Sequence, residues 1–167
     1  RYTEEDPHMN IPANIEKLAA HIKATVAELK MPMPKILMEP GRSIVADAGM
    51  TLYSVGTIKE ITGYKNYVSI DGGMTDNPRF ALYGSPYTVL LANRASEDYE
   101  KDGETFVCSV VGRCCESGDI LQENVTLPAD VTRDDIVAVL TTGAYNYAMS
   151  SNYNRIPRPP VVMLTES

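Results

Sequence analysis

A series of short apolar runs separated by glycine turns constrains the fold of this chain more than any other feature. The runs are rich in β-branched residues and occupy the chain from residue 51 onward, with turn signals at Gly63 and at Gly72-Gly73. Seven strands are predicted, at 51–61, 66–71, 87–92, 105–111, 119–124, 135–142 and 161–164. Strands at this spacing favour a mainly β (α+β) fold, with a barrel or a sandwich as its centre.

The segment before residue 49 has a different pattern. Apolar residues recur at helical spacing from Ile15 to Leu29, which predicts an amphipathic helix that begins near Pro12 and ends before Pro32. Residues 35–39 then predict a short buried strand, followed by a short helix over 43–48. A helix followed by a strand is half of an α/β unit. We therefore divide the chain into residues 1–48 and a β domain over 49–167, with a short helix near 144–150.

Composition and charge exclude several classes of protein. The 167 residues suit one domain, and 15 basic against 22 acidic side chains give a net charge of −7 without a Lys/Arg block. We therefore expect neither nucleic acid nor a membrane as a partner. The three cysteines form no spaced disulfide framework, which indicates a reducing, cytoplasmic compartment. Neither His8 nor His21 has a cysteine at zinc-ligand spacing, so no metal site is predicted.

Two segments have residues suited to binding an anion. The first, Glu39-Pro40-Gly41-Arg42, ends the predicted strand and opens a helix, where backbone N–H groups and an arginine can hold a phosphate or carboxylate; an ordinary turn with an exposed arginine is the alternative. In the second, paired glycines at 72–73 precede Arg79 and Tyr83, whose four-residue spacing places both on one face of a helical turn. A loop charge beside a tight turn is the alternative there.

Two further segments contain reactive or polar residues near glycines. Cys114 and Cys115 lie in a glycine-flanked turn, where an accessible thiol with a pKa of about 8.5 can exchange a proton at neutral pH. Two small buried apolar residues are the alternative. Small residues precede Tyr145 at a strand-to-helix junction, which suits a contact with a phosphate or hydroxyl group; a tyrosine-rich packing layer explains the pattern equally well.

Taken in order, EPGR, DGGM, RxxLY, CESxD and GAY resemble the carboxyl-terminal part of the diaminopimelate decarboxylases, from about residue 36 to residue 164. These are pyridoxal 5'-phosphate enzymes of the alanine racemase-like fold type III. The resemblance implies a cofactor-binding (β/α)8 barrel, whose last helix and strand are residues 1–48, followed by a β domain. It also implies a homodimer whose active sites are shared across the interface, and a reaction that converts meso-2,6-diaminopimelate to L-lysine and CO2.

The resemblance also implies a role for each motif residue. Glu39, Pro40, Gly41, Arg42 and Tyr145 correspond to cofactor contacts. Substrate contacts correspond to Arg42, Arg79, Tyr83, Glu116 and Tyr145. Cys115 corresponds to the catalytic proton donor, and with Glu116 it enters the site of the partner subunit.

No segment matches the family's Schiff-base lysine, which belongs to the barrel. The chain is therefore expected to be a fragment that is inactive alone. Two alternatives remain open: a related decarboxylase of ornithine, arginine or carboxynorspermidine, and a non-catalytic β module that binds a partner.

Overall fold

The fold is a curved β-sheet with short helices at its loops. A computed structural model describes residues 3, 5–98, 101 and 103–165. The helices are α1 (Ile11–Glu28), α2 (Arg42–Val45), α3 (Arg79–Tyr83) and α4 (Asn146–Met149), and the strands are β1 (Thr51–Ile61), β2 (Lys65–Ile70), β3 (Val89–Leu91), β4 (Thr105–Val111), β5 (Ile120–Pro128) and β6 (Ile136–Val139). Single 3-10 turns occur at Ala46–Ala48, Ala92–Arg94 and Tyr153–Arg155.

The six strands form one sheet in the order β3-β6-β1-β2-β4-β5. The pair β2 and β4 is parallel, whereas the other neighbours are antiparallel. The two edges of the sheet approach each other, since the N–H of Tyr87, just before β3, donates to Oε1 of Gln122 in β5 at 2.9 Å. The sheet is therefore nearly barrel-shaped, which confirms the predicted mainly β fold.

Alternating side chains of the strands form the core. In β1 the buried residues Tyr53 and Val55 alternate with less buried neighbours, as expected for a strand with one face in the core and the other facing solvent. The most deeply buried side chains of the core are Leu91, Leu121, Leu127, Val68, Val110, Val137 and Val139. Burial of one aliphatic side chain stabilises a folded protein by roughly 1.5–3 kcal/mol. This cluster therefore holds the sheet and its loops in place.

The predicted amphipathic helix is confirmed as α1, but it lies outside the core. Asn10 Oδ1 accepts the N–H of Ala13 at 3.1 Å and caps the first turn, which also contains Pro12. None of its residues is buried: Ile15 and Leu18 are exposed, and Ile22 and Val26 are only half-buried. Over the described part of the chain, no helix is long and apolar enough to cross a membrane.

Two of the predicted strands are wrong. Residues 35–39 and 161–164 have no strand conformation, and the exposed fractions of Leu37 and Leu164 are 80% and 89%. A strand is stabilised by hydrogen bonds to a neighbouring strand. Neither segment pairs with the described sheet, so its apolar run does not form a strand here.

The ends of two other strands differ from prediction for local backbone reasons. The strand predicted over 119–124 is β5, which continues to Pro128. Asn124 has a φ of 56° beside a register shift against β4, which is the geometry of a β-bulge. At the other strand, Thr141 has a φ of 55°, so β6 ends at Val139 rather than at residue 142.

Candidate functional site

Two arginines and two tyrosines from three loops form one cluster, which we call the Tyr145 cluster. The guanidinium carbons of Arg42 and Arg79 lie 5.7 and 5.5 Å from the centre of the Tyr145 ring, and Arg79 also lies 5.0 Å from the Tyr83 ring. These distances are typical of cation–π contacts. The cluster is locally positive on a chain of net charge −7, and this arrangement suits an anionic ligand.

A hydrogen bond and a close approach fix Tyr145 against the EPGR segment. The Arg42 N–H donates to the Tyr145 hydroxyl at 3.0 Å. A Cβ on Gly41 would strike that hydroxyl, so a larger residue there would displace the Tyr145 ring. The turn after α2 contacts the loop before Tyr145, because the Gly143 N–H donates to the Ala46 carbonyl at 3.1 Å. The sequence motifs EPGR and GAY, about 100 residues apart, therefore meet as one unit.

Helix α3 confirms the predicted spacing of Arg79 and Tyr83. The two residues lie on one face of its single turn, with the arginine stacked on the tyrosine ring. Gly84, with a φ of 62°, ends the helix in a left-handed cap. Arg79 also donates from Nη1 to the Met149 sulfur at 3.7 Å, so α3 and α4 contact each other at the cluster.

Cys115 and Glu116 occupy a separate turn, residues 112–119, which we call the Cys loop. Its brace is the buried Asp119 carboxylate, which accepts the Cys114 N–H at 2.7 Å and the Met74 N–H at 2.6 Å. A Cβ on Gly112 would occupy the space of that carboxylate. The Cys loop is thus joined to the glycine pair loop, residues 71–77, through one aspartate.

A second buried carboxylate braces the glycine pair loop from within. Asp76 accepts the hydroxyl proton of Tyr53 and the Gly73 N–H, the latter at 3.1 Å. Burial raises the pKa of Asp76, and the nearby Asp119 charge raises it further, against the lowering effect of its hydrogen bonds. Burial and Asp76 together raise the pKa of Tyr53 well above its usual value.

The three cysteines have different surroundings. Burial raises the pKa of Cys108 to about 12, and burial together with Asp119 raises the pKa of Cys114 to about 11. Cys115 is exposed on the Cys loop. The alternative that both neighbouring cysteines are buried apolar residues is therefore wrong for Cys115. No disulfide joins the three, all of which are free.

The predicted site residues fall into two groups. Gly41, Arg42, Arg79, Tyr83 and Tyr145 meet in the Tyr145 cluster, with Glu39 and Pro40 exposed just before it. Cys115 and Glu116 project from the Cys loop, where Glu116 Oε1 accepts the Ser117 hydroxyl at 3.2 Å.

Sequence reasoning missed the residues that hold these groups in place. Asp119 is the last residue of the CESxD motif but had no predicted role, Asp76 lies near paired glycines outside any motif, and Asn154, which accepts the Cys115 N–H, also belongs to no motif. The one available signal was the clustering of aspartates with paired glycines, because a residue without a Cβ lets a carboxylate approach the backbone. Among the residues the structure describes, no group of three or more His, Cys, Asp or Glu could hold a metal ion.

Comparison with known families agrees with this geometry. The profile described as "Pyridoxal-dependent decarboxylase, C-terminal sheet domain" matches residues 18–143, which include the sheet and most of both residue groups. The chain belongs to this family. The match ends within the GAY motif, so Tyr145 and the segment after it lie just beyond the matched region.

Individual relatives extend the similarity over nearly the whole chain. The diaminopimelate decarboxylase of Bacillus subtilis is 46% identical over 164 residues, which is 98% of this chain and 36% of the relative. A crystal structure of a diaminopimelate decarboxylase matches with a TM-score of 0.75 and 31% identity, covering 95% of this chain and 38% of that one. The Helicobacter pylori enzyme, complexed with L-lysine, matches with a TM-score of 0.68 and 29% identity, covering 93% and 34%. The chain thus spans about a third of the length of these relatives.

Proposed function

We propose that this chain is the carboxyl-terminal part of a diaminopimelate decarboxylase, which converts meso-2,6-diaminopimelate to L-lysine and CO2. The observation that carries the proposal is the convergence of Arg42 and Arg79 on Tyr145. The relatives are diaminopimelate decarboxylases, which supports diaminopimelate as the substrate. The L-lysine bound in the Helicobacter pylori structure corresponds to the proposed product.

The Tyr145 cluster fits the anionic groups of both substrate and cofactor. A planar guanidinium can hold a carboxylate or phosphate through two parallel hydrogen bonds. The Tyr145 hydroxyl accepts the Arg42 N–H, so its own proton can be donated to a ligand oxygen. Arg42 and Tyr145 would contact both cofactor and substrate, Gly41 with Glu39 and Pro40 would line the cofactor side, and Arg79 with Tyr83 would hold a substrate carboxylate.

This donor set fits pyridoxal 5'-phosphate, whose phosphate is an anion. When bound, the cofactor supplies an electron sink for the electron pair that remains after loss of CO2. The work of the residues in this chain is selection of the substrate and delivery of a proton. Diaminopimelate has an ammonium and a carboxylate at both ends, whereas ornithine and arginine lack the distal carboxylate. Arginine binding of that carboxylate, together with Glu116 binding of the distal ammonium, would discriminate between them.

Cys115 is suited to deliver the proton. Its side chain is exposed on a loop whose backbone is braced, whereas the Cys114 thiol is partly covered and has a raised pKa. The Cys115 Sγ–H would donate its proton to the carbon from which CO2 departs. The thiolate that remains then regains a proton from solvent before the next turnover.

The two residue groups also motivate the proposed assembly. Cys115 and Glu116 face outward from the Cys loop, so in a homodimer they would enter the active site of the second copy. Residues 1–48 would belong to the barrel and residues 49–167 to the β domain; the lack of any buried residue in α1 supports this division. The three free cysteines support a reducing, cytoplasmic compartment.

The experiment is a substrate comparison with the full-length protein loaded with pyridoxal 5'-phosphate. We expect lysine formation from meso-diaminopimelate with a kcat/KM at least about 100-fold above that for ornithine, arginine or carboxynorspermidine. The variant Arg79→Lys, which keeps the charge but loses the planar pair of donors, should raise KM for meso-diaminopimelate. Efficient decarboxylation of ornithine without lysine formation would contradict the proposal.

A further inference from the structure

The N–H and the carbonyl of Cys115 both contact one short segment near the end of the described chain, residues 153–154. Asn154 Oδ1 accepts the Cys115 N–H at 2.7 Å, and the Tyr153 hydroxyl approaches the Cys115 carbonyl at 3.5 Å. The preceding amide, that of Cys114, is taken by Asp119. Two consecutive amides are therefore held by different partners, which fixes the direction in which the Cys115 side chain leaves the backbone.

The segment that carries Asn154 also connects the two groups of predicted site residues within this chain. It begins at Tyr145 in the Tyr145 cluster and continues through α4. It then contacts the glycine pair loop, because the Ser151 N–H donates to the Thr75 carbonyl at 2.7 Å. Three residues later Asn154 reaches the Cys loop. Residues 145–155 thus tie the position of Cys115 to the position of Tyr145.

The properties of Asn154 indicate a role in orientation. Its φ of 53° lies in the left-handed region, which asparagine, aspartate and glycine tolerate better than other residues. The hydrogen bond to Cys115 is exposed, so it competes with water and adds little to folding. Asn154 thus combines a left-handed backbone conformation with an exposed hydrogen bond to the backbone of the proposed proton donor, and this combination motivates a functional hypothesis.

We propose that Asn154 is a positioning residue, which holds Cys115 in the orientation required for proton donation. This inference rests on the proposed function, in which Cys115 is the proton donor. Asn154 acts through the Cys115 backbone and touches neither substrate nor cofactor. Its side-chain oxygen is the essential group, because that atom accepts the Cys115 N–H and so sets the orientation of the Cys115 backbone.

Three variants of the full-length enzyme test this role. Asn154→Gly permits the same backbone conformation but removes the acceptor, whereas Asn154→Asp retains both. Asn152→Ala is the matched control, because Asn152 Nδ2 donates to the Ile156 carbonyl at 2.9 Å, a bond of the same segment that does not involve Cys115. We expect Asn154→Gly to lower kcat about 10- to 100-fold with KM changed less than about 3-fold, as misplacement of a reacting group predicts. The other two variants should stay within about 3-fold of wild type.

Two further measurements separate positioning from general damage. In D2O, the wild-type enzyme should place deuterium in a single configuration at the carbon that lost CO2, and Asn154→Gly should yield a mixture. Without substrate, Asn154→Gly should alkylate with iodoacetamide several-fold faster at Cys115 because its backbone is no longer held, with unchanged rates at Cys108 and Cys114.

The possible outcomes are distinct. Wild-type kcat, stereochemistry and alkylation in Asn154→Gly would overturn the proposal, and so would equal losses in Asn154→Gly and Asn152→Ala. If the wild-type enzyme forms no lysine, the proposed function fails. In that case, the comparison of alkylation rates at Cys115 between wild type and Asn154→Gly still decides whether Asn154 positions Cys115.

Discussion

The Tyr145 cluster and the Cys loop are built in opposite ways. In the cluster the functional side chains hold one another, with both guanidinium groups stacked on one ring. In the Cys loop the bonds go to the backbone, through Asp119 and Asn154, and the Cys115 and Glu116 side chains extend outward. A cluster held by its own side chains is suited to receive a ligand. A loop held by its backbone is suited to present side chains to another surface.

The difference has a consequence for substitutions. A change in the cluster alters ligand contacts and the local structure together. In the Cys loop the proposed chemistry resides in side chains, whereas the structure depends on two acceptors of backbone N–H groups, Asp119 and Asn154. The two effects can therefore be separated by choosing which residue to change.

The largest effect is expected when the exposed thiol of Cys115 is removed. Cys115→Ala should lower kcat about 100- to 10,000-fold in the full-length enzyme, because a positioned general acid contributes on that scale. Cys114→Ala, which removes a partly covered thiol of raised pKa, should stay within about 3-fold and serves as the matched control. Steady-state lysine formation measures both. Equal losses in the two variants would remove the distinction between the neighbouring cysteines.

The next effect concerns the brace of the Cys loop. Asp119→Ala leaves the Cys114 and Met74 N–H groups without their acceptor, at a cost of about 1–3 kcal/mol each. Asp119→Asn should be nearly as damaging, because one of the two N–H groups would then face an amide NH2. Urea unfolding measures the loss, with the exposed Asp134→Asn as control. An unfolding free energy unchanged by Asp119→Asn would show that the loop is not held through this carboxylate.

Local patterns were sufficient to predict much of the sheet. The bounds of β1 and β4 match the predicted 51–61 and 105–111, because Gly63 and Gly103 mark the adjoining turns and β-branched residues fill the strands. The four-residue spacing likewise predicted that Arg79 and Tyr83 share one face of a helical turn, as they do in α3. In each case the deciding interaction lies within a few residues of the chain.

These local patterns could not predict contacts between residues that are far apart in the sequence. Asn154 meets Cys115 across 39 residues and Asp119 meets Met74 across 45, and nothing in the local sequence specifies either partner. The apolar run at 161–164 has the composition of a strand, yet pairing decides whether such a run becomes one, and no neighbouring strand is present in the described sheet. The residues that support a site are thus harder to predict than those that perform its chemistry.

A smaller effect is expected within the Tyr145 cluster. Tyr145→Phe removes the hydroxyl that accepts the Arg42 N–H but keeps the ring on which both arginines stack. One hydrogen bond of about 0.5–1.5 kcal/mol corresponds to a loss of about 3- to 10-fold in kcat/KM. Tyr145→Ala should lose considerably more, since the cation–π contacts disappear as well. Tyr147→Phe, at a largely exposed tyrosine on α4, provides the control. If Tyr145→Phe and Tyr145→Ala behave alike, the hydroxyl rather than the ring organises the cluster.

The smallest effect is a pH dependence of stability from the glycine pair loop, which joins the two regions. Burial raises the pKa of Asp76 above its usual 3.8, so the folded protein binds this proton more tightly than the unfolded chain does. The associated stabilisation is complete below about pH 4 and is lost as the pH rises through the raised pKa. Asp76→Asn cannot ionise and lacks this loss. The unfolding free energy of wild type relative to Asp76→Asn should therefore decrease from pH 4 to pH 7, by less than the change caused by Asp119→Ala. A difference that is constant or increases over this range would mean that the Tyr53 and Gly73 donors outweigh burial, so that Asp76 stays ionised as the ordinary acceptor of the loop.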